Sequence, residues 1–193
     1  MFDNLIKNMH SHLELGPEEL NYFLPMLEYR LIKKNDFFVR TGENANYVGF
    51  IDSGLLRYYY VTGEREHTTR VFFPNEWAGD YASFLRQKPA VLNITAMEDT
   101  VIFLFYYEAM QTAYDKFKIF ERFGRLIAES LFIELENKSA SFLTKTPEVR
   151  YVDLITERPE ILAKIPLKYI SSMLGIQPES LSRIRRRMQG GKA

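Results

Sequence analysis

Three patterns of apolar residues follow one another along the chain. Residues 1–29 have apolar side chains at helical spacing in two short stretches, which Gly16 and Pro17 separate. From residue 29 to about residue 105 the pattern changes to short β-rich runs divided by Gly or Pro. The clearest runs are LIKKNDFFV, YVGFIDS, LLRYYYV, TTRVFF and TVIFLFY. Runs of this length and spacing predict an all-β barrel or sandwich.

The third pattern is helical and long. From Glu108 to Leu143 the chain has no Pro, which predicts a helix or a helix pair of up to about 36 residues. A broad apolar band along it can bury one side on the β-rich region and the other on a second copy of the chain, so we predict a homodimer. The alternative is a helix that packs only on its own domain, because Ser130 and Asn137 interrupt the heptad. The heptad positions are Ile119, Leu126, Ile133 and Ala140.

Residues 165–188, IPLKYISSMLGIQPESLSRIRRRM, have the spacing of a helix-turn-helix. Pro166 opens the first helix, Gly175 ends it and permits a sharp turn, and Pro178 begins the second helix. Ile176 is expected to fill the corner between the helices. The inner face of the second helix is assigned to Leu181, Ile184 and Met188.

The outer face of the second helix carries the candidate DNA contacts. A polar first turn followed by several Arg suits entry into the major groove, where early residues reach base edges and later ones bind phosphates. Arg183 is the first candidate for reading guanine, and Glu179 either accepts from cytosine or orients Arg183. The alternative is an ordinary helical hairpin with a solvated Arg face. The candidate DNA-binding residues are Pro178, Glu179, Ser180, Ser182, Arg183, Arg186 and Arg187.

Charge supports a polyanionic partner for this part of the chain. Residues 145–193 hold ten basic and five acidic side chains, whereas the remainder holds fifteen basic and twenty acidic. Lys and Arg that neutralise phosphates release counterions, so nucleic acid would meet this region most favourably. A solvated basic tail is the alternative interpretation. A hinge is predicted at residues 144–147, followed by an amphipathic helix at residues 148–157.

Composition excludes several classes of protein. A hydrophobic fraction of 46% is too high for a disordered chain, and no apolar run approaches a membrane span. The absence of Cys excludes disulfides, thiol catalysis and Cys-bound metals, and with no signal-peptide pattern at the N-terminus a cytoplasmic location is expected. His10, His12 and His67 are too few and too scattered for a cupin-like metal site, and no catalytic motif is present, so neither a metal nor an enzyme activity is expected.

The chain resembles the Crp/Fnr regulators, and especially the compact members found in Bacteroidetes. The resemblance rests on the spacing of Gly42 and Gly54 around ENANYVGFIDSGLLRYYY, on PNEWAGDYASFL, on the long helix and on YISSMLGIQPESLSRIRRRM. It implies an α+β fold: a cyclic-nucleotide-binding-type β-roll that is jelly-roll-like, a dimerisation helix and a winged helix-turn-helix. The base-reading positions of the family fall on Pro178, Glu179 and Arg183.

The resemblance also gives domain boundaries and partners. The β-roll effector domain is assigned to residues 1–115, the dimerisation helix and hinge to residues 116–144, and the DNA-binding domain to residues 145–193. Double-stranded DNA and a second copy of the chain are the expected partners, with RNA polymerase as a further candidate. Only five residues follow Met188, so the wing is expected to be truncated.

The effector pocket departs from the family pattern. Nucleotide-binding members have a segment that opens with Gly-Glu and closes with an Arg-Ser pair holding the cyclic phosphate. Here the segment opens with Gly79-Asp80 and closes in RQKPAVLNITAMED without an Arg-Ser pair, so cyclic AMP is not the expected effector and no cofactor is assigned. The residues assigned to the pocket are Gly79, Asp80, Tyr81, Arg86 and Lys88.

These expectations combine into a sequence-specific DNA-binding transcription regulator with a β-roll sensor domain. The alternative keeps the fold and changes the function: a ligand-binding or partner-binding module whose helix-turn-helix has lost DNA binding. Four Arg residues between positions 183 and 187 favour the regulator. The salt dependence of nucleic-acid affinity distinguishes the two readings.

Overall fold

The structure is a computed structural model that describes residues 1–190. The predicted truncation of the wing concerns the five residues after Met188, of which residues 191–193 lie outside the described part. Eight strands and nine α-helices occur in the described residues. The strands are β1 (Glu28–Ile32), β2 (Phe37–Val39), β3 (Tyr47–Ser53), β4 (Leu56–Thr62), β5 (Arg65–Phe72), β6 (Trp77–Ala78), β7 (Asn93–Ala96) and β8 (Thr100–Tyr106). The helices are α1 (Asp3–His12), α2 (Pro17–Phe23), α3 (Tyr81–Arg86), α4 (Tyr107–Lys116), α5 (Lys118–Thr144), α6 (Pro147–Glu157), α7 (Ile161–Lys164), α8 (Leu167–Met173) and α9 (Pro178–Gly190). A 3-10 turn at Leu24–Met26 follows α2.

The strands form two four-stranded sheets, in the orders β1-β8-β3-β6 and β2-β7-β4-β5. The pairs with a determined register are antiparallel, for example Ile32 with Thr100 and Leu56 with Ala96. One core lies between the inward faces of the strands. Its most buried members include Ile51, Leu56, Leu92, Ile94 and Ile102. Together with the helices, this arrangement confirms the predicted α+β fold.

One predicted run is in fact two strands. LIKKNDFFV contains the end of β1 and all of β2, and these strands belong to different sheets. The chain reverses between them at Asn35, whose φ of 72° lies in the left-handed region that Asn tolerates better than most residues. The sequence pattern alone missed this break because the turn contains neither Gly nor Pro.

A second, aromatic core packs helices against the outer face of β3 and β8. Both faces of β8 are covered, so Ile102, Phe103, Leu104 and Phe105 are all buried instead of alternating. Phe23 lies 4.8 Å from Phe105 between ring centroids. This core explains the continuous apolar run of β8 and the two helices predicted before residue 29, which supply Leu5, Met9 and Phe23 to it.

The long helical region is a pair of helices. α4 and α5 are separated at Phe117, whose extended backbone ends the first helix. Ile119 and Leu126 pack against the aromatic core, while Ile133 is 58% exposed. The first half of the predicted heptad thus lies on its own domain, and the second half is left uncovered in a single chain.

The described residues divide into two compact units, residues 1–66 with 70–130, and residues 67–69 with those from 131 onward. The second unit has its own small core, formed by Tyr151, Ile161, Ile165, Ile170, Leu174, Leu181 and Ile184. Met188, predicted on the inner face of α9, is 40% exposed, so the inner face ends one turn earlier. In residues 1–190, no helix combines the length and hydrophobicity needed to cross a membrane.

Candidate nucleic-acid interface and effector segment

The turn between α8 and α9 has the backbone geometry of a helix-turn-helix. Gly175 has a φ of +70°, and the N–H groups of Gly175 and Ile176 donate to the carbonyls of Ser172 and Ser171, both at 3.0 Å. These two bonds form a Schellman motif, which satisfies carbonyls that the end of a helix otherwise leaves free. The local sequence therefore encodes the sharp turn directly.

Packing also requires glycine at this turn. A Cβ atom at position 175 would lie 2.9 Å from Cε1 of Phe142, at the end of α5. An L side chain would therefore be strained both by the positive φ and by the aromatic ring. Phe142, near the end of α5, thus lies beside the turn.

Pro178 is the first residue of α9, as predicted. The carbonyl of Gln177 accepts from the N–H groups of Ser180 at 3.0 Å and Leu181 at 3.2 Å, which begins the helix. Leu181 and Ile184 are buried, so the opposite face of α9 is directed outward.

The outer face of α9 is polar and largely exposed. Arg183 donates from Nη2 to Oγ of Ser180 at 3.2 Å, and Ser182 donates to the carbonyl of Pro178 at 3.0 Å. Within residues 1–190, Glu179 forms no ion pair with Arg183, so the orienting role considered for Glu179 is not seen in this chain. Ser180 is half-buried, and the other candidate DNA-binding residues are exposed. The face thus offers donors and acceptors to a partner.

An ion pair lies beside this face. Arg187 Nη2 is 2.6 Å from Oε1 of Glu148, in the first turn of α6. A hydrogen bond from the backbone N–H of Glu148 itself, and then the Arg187 guanidinium, lower the pKa of the Glu148 carboxyl. Both side chains line an open groove of about 800 Å³ that Arg183 and Arg186 also border. Three guanidinium groups against one carboxylate make the groove favourable for an anion.

Arg150, on α6, joins segments that are distant in sequence. Its Nη1 donates to the carbonyl of Lys145 at 2.6 Å and its Nη2 to the carbonyl of Leu174 at 2.9 Å. The guanidinium also lies 4.7 Å from the centre of the Phe142 ring. Sequence reasoning missed Arg150 because its partners lie up to 24 positions away and no local pattern marks them.

In the segment that begins at Gly79 and is assigned to effector binding, called the effector segment below, the carboxylate of Asp80 accepts backbone N–H groups. Its Oδ1 accepts from the N–H of Ser83 at 3.2 Å, which caps α3, and its Oδ2 accepts from the N–H of Val91 at 3.1 Å. The residue is 2% exposed. One carboxylate thus joins the start of the segment to its end. Binding of an effector by Asp80 stays a prediction.

The other effector candidates are dispersed. Gly79 packs closely on Val48, because a Cβ added there would lie 3.0 Å from its Cγ1. Tyr81 is half-buried, and burial raises the pKa of its hydroxyl. Arg86 and Lys88 are exposed on either side of Gln87, which ends α3 with a φ of 50°. Their role in a pocket stays a prediction.

Aromatic residues near this segment are mostly core residues. Phe84 is fully buried, and Trp77 lies 5.6 Å from Phe50 between ring centroids. Tyr58 and Tyr60 are linked through their hydroxyls at 3.2 Å, and burial, followed by this bond, raises the pKa of Tyr58. The part of the chain that the structure describes contains no cluster of three or more His, Asp or Glu suited to a metal ion.

Comparison with known proteins gives one family match and several structures of similar fold. Residues 29–117 match the sequence model of the family described as the cyclic nucleotide-binding domain. No curated protein matches the chain by sequence. The fold is similar to that of FixK2 from Bradyrhizobium japonicum, with a TM-score of 0.72 and 17% identity over 86% of this chain and 85% of that one.

Two further structures share the fold. The Catabolite Activator Protein of Thermus thermophilus gives a TM-score of 0.57 and 21% identity, covering 95% of this chain and 87% of its own. A CooA variant from Carboxydothermus hydrogenoformans gives 0.70 and 17%, covering 93% and 88%. The chain therefore contains a cyclic nucleotide-binding-type domain and has the fold of the Crp/Fnr regulators, which confirms the resemblance read from its sequence.

Proposed function

We propose that this protein is a homodimeric transcription regulator that binds a specific DNA sequence through α9. The observation that carries the proposal is the polar outer face of α9, the helix that follows the Schellman turn. Glu179, Arg183 and Arg186 are exposed on this face, beside a groove lined by arginines. Arg183 reads a guanine edge in this proposal, while Arg186 and Arg187 bind phosphates. The Catabolite Activator Protein of Thermus thermophilus, which has the same fold, is named as an activator, and this supports the proposal.

The second half of α5 forms the dimer interface in this proposal. Large apolar side chains are exposed there in the single chain, at 64% for Phe132, 66% for Leu135 and 85% for Leu143. Soluble proteins rarely leave such a cluster uncovered. Two-fold symmetry then predicts an inverted-repeat site with half-sites about 34 Å apart, one turn of DNA.

Sedimentation velocity tests the interface. Leu135→Glu is expected to convert the dimer to monomers, because it introduces a charge into the apolar face. Leu85→Glu, at an exposed leucine of α3, is the matched control and is expected to leave the dimer intact. A wild-type protein that sediments as a monomer at micromolar concentration contradicts the interface.

The effector in this proposal is a ligand other than cyclic AMP. The carboxylate of Asp80 is bound to the backbone at both ends of the segment, and the sequence lacks the Arg-Ser pair. Calorimetric titration with cyclic AMP is expected to give no binding heat. Saturable binding at micromolar concentration overturns this assignment.

Genome-wide selection of DNA fragments by the purified protein tests the function itself. The wild type is expected to enrich an inverted repeat, with RNA polymerase as a candidate later partner. Arg183→Ala is expected to abolish the enrichment, whereas Arg122→Ala, which removes an exposed arginine of α5, leaves it. Failure of the wild type to enrich any sequence, together with an affinity for nucleic acid that does not fall with salt, favours the alternative of a binding module.

A further inference from the structure

Arg150 connects two helix ends. The carbonyls of Lys145 and Leu174 each come directly after the last residue of a helix, α5 and α8 respectively. Carbonyls at helix C-termini lack intrahelical donors and carry the negative end of the helix dipole. One guanidinium donates to both, so a single positive charge satisfies the ends of two helices that belong to different parts of the sequence.

The ring of Phe142 completes the cluster. The Arg150 guanidinium lies over this ring, and Cε1 at the edge of the ring would lie 2.9 Å from a Cβ atom added at Gly175. The last turn of α5, the start of α6 and the helix-turn-helix are therefore joined through Phe142, Arg150 and Gly175. Lys in place of Arg150 offers a point charge and cannot form the same planar fork.

We infer that Arg150 is a positioning residue that fixes the helix-turn-helix relative to the last turn of α5, and that residues 144–147 are held by it instead of acting as a free hinge. This inference rests on the proposed DNA-binding function. Arg150 donates hydrogen bonds from Nη1 and Nη2 to backbone carbonyls, so it acts on DNA affinity through the orientation of α9 and not through a phosphate contact.

A distance measurement tests the inference without DNA. The chain has no Cys, so spin labels attached to Asn137→Cys and Gln177→Cys, both at exposed positions, report the distance from α5 to the turn. Mixing with excess unlabelled chain isolates the distance within one protomer. Arg150→Met is expected to broaden the distance distribution, and Arg150→Lys to broaden it as well. Arg122→Met is expected to leave it narrow.

DNA affinity gives the second readout. Arg150→Met is expected to weaken binding about tenfold, because two charge-assisted hydrogen bonds that fix α9 are lost. The slope of log affinity against log salt is expected to stay unchanged, whereas Arg186→Met, which removes a proposed phosphate contact, is expected to reduce it by about one. Thermal unfolding checks that each variant is folded at the assay temperature.

The outcomes separate the inference from the function. Distance distributions of Arg150→Met or Arg150→Lys that match the wild type overturn the inference, and so does a salt slope reduced in Arg150→Met. Broadening in a protein that binds no DNA overturns the proposed function and leaves the positioning role supported.

Discussion

The two candidate sites, the segment that begins at Gly79 and the helix α9, use similar polar residues in opposite ways. Asp80 is buried, and both of its carboxylate oxygens accept backbone N–H groups of its own segment. The side chains of Glu179 and Arg186, on α9, are exposed and form no hydrogen bond or ion pair with residues 1–188. A polar residue is available to a ligand only where the fold does not already use it, so α9 is the stronger candidate for a site.

The largest expected effect is on stability, at Asp80, whose carboxylate already accepts two backbone N–H groups. Asp80→Ala is expected to lower the free energy of unfolding by about 3 kcal/mol, because a helix cap and a second buried backbone N–H lose their acceptor. Chemical denaturation measures the change. Asp115→Ala, at an exposed aspartate of α4, serves as the control. A change for Asp80→Ala as small as that of the control shows that the segment does not depend on this carboxylate.

Arg183→Ala is expected to weaken DNA binding strongly and to change stability little. Its stability is expected to stay within about 0.5 kcal/mol of the wild type, since the side chain is exposed and, among the described residues, it forms a hydrogen bond only with Ser180. Binding to the selected DNA is expected to fall about ten- to a hundredfold, with relaxed preference at one base pair. Fluorescence anisotropy with matched and mismatched duplexes measures both. A uniform loss across sequences assigns Arg183 to phosphate contact instead.

Gly175→Ala asks whether the turn, more than the polar face, stabilises the helix-turn-helix. We expect a loss of about 1 to 2 kcal/mol in the free energy of unfolding, from the left-handed backbone and the nearby Phe142 ring. Gly63→Ala is the matched control, because Gly63 has a φ of +60° and no atom within 4 Å of an added Cβ. The difference between the two variants isolates the contact with Phe142. Equal losses show that this contact contributes nothing.

Glu148→Gln is expected to have the smallest effect. Removing the carboxylate frees Arg187 for phosphate, so DNA affinity is expected to rise about two- to threefold and the salt slope to steepen by roughly one.

The effect of Glu148→Gln is also expected to be independent of pH near neutrality. The pKa of Glu148 is lowered from its ordinary value of 4.5, so the ion pair is complete above pH 4.5 and is lost only as the pH falls through the lowered pKa. The increase is therefore expected to be constant between about pH 6 and 8. Glu157→Gln, at the end of α6, is the control, and an unchanged slope for Glu148→Gln indicates that Arg187 does not reach DNA.

Sequence reasoning predicted the geometry of α9 and its turn better than the geometry around Asp80, for a physical reason. The signals in residues 165–188 are local: Gly at a left-handed position, Pro at a first helical residue, and apolar residues three and four apart. In the effector segment the same reasoning identified Asp80 as a ligand candidate but not its bonds to Ser83 and Val91. Those bonds depend on how the chain folds back over eleven positions.

The sequence by itself determined the succession of a helical, a β-rich and a second helical region, the turn at Gly175 and the apolar and basic faces of α9, because each follows from backbone preference or side-chain periodicity. Tertiary structure alone decided three things: the division of LIKKNDFFV between two sheets, the exposure of the second half of α5, and the bridging position of Arg150. Each of these depends on which distant segments pack together. A local sequence pattern does not identify the distant segment that a residue will pack against.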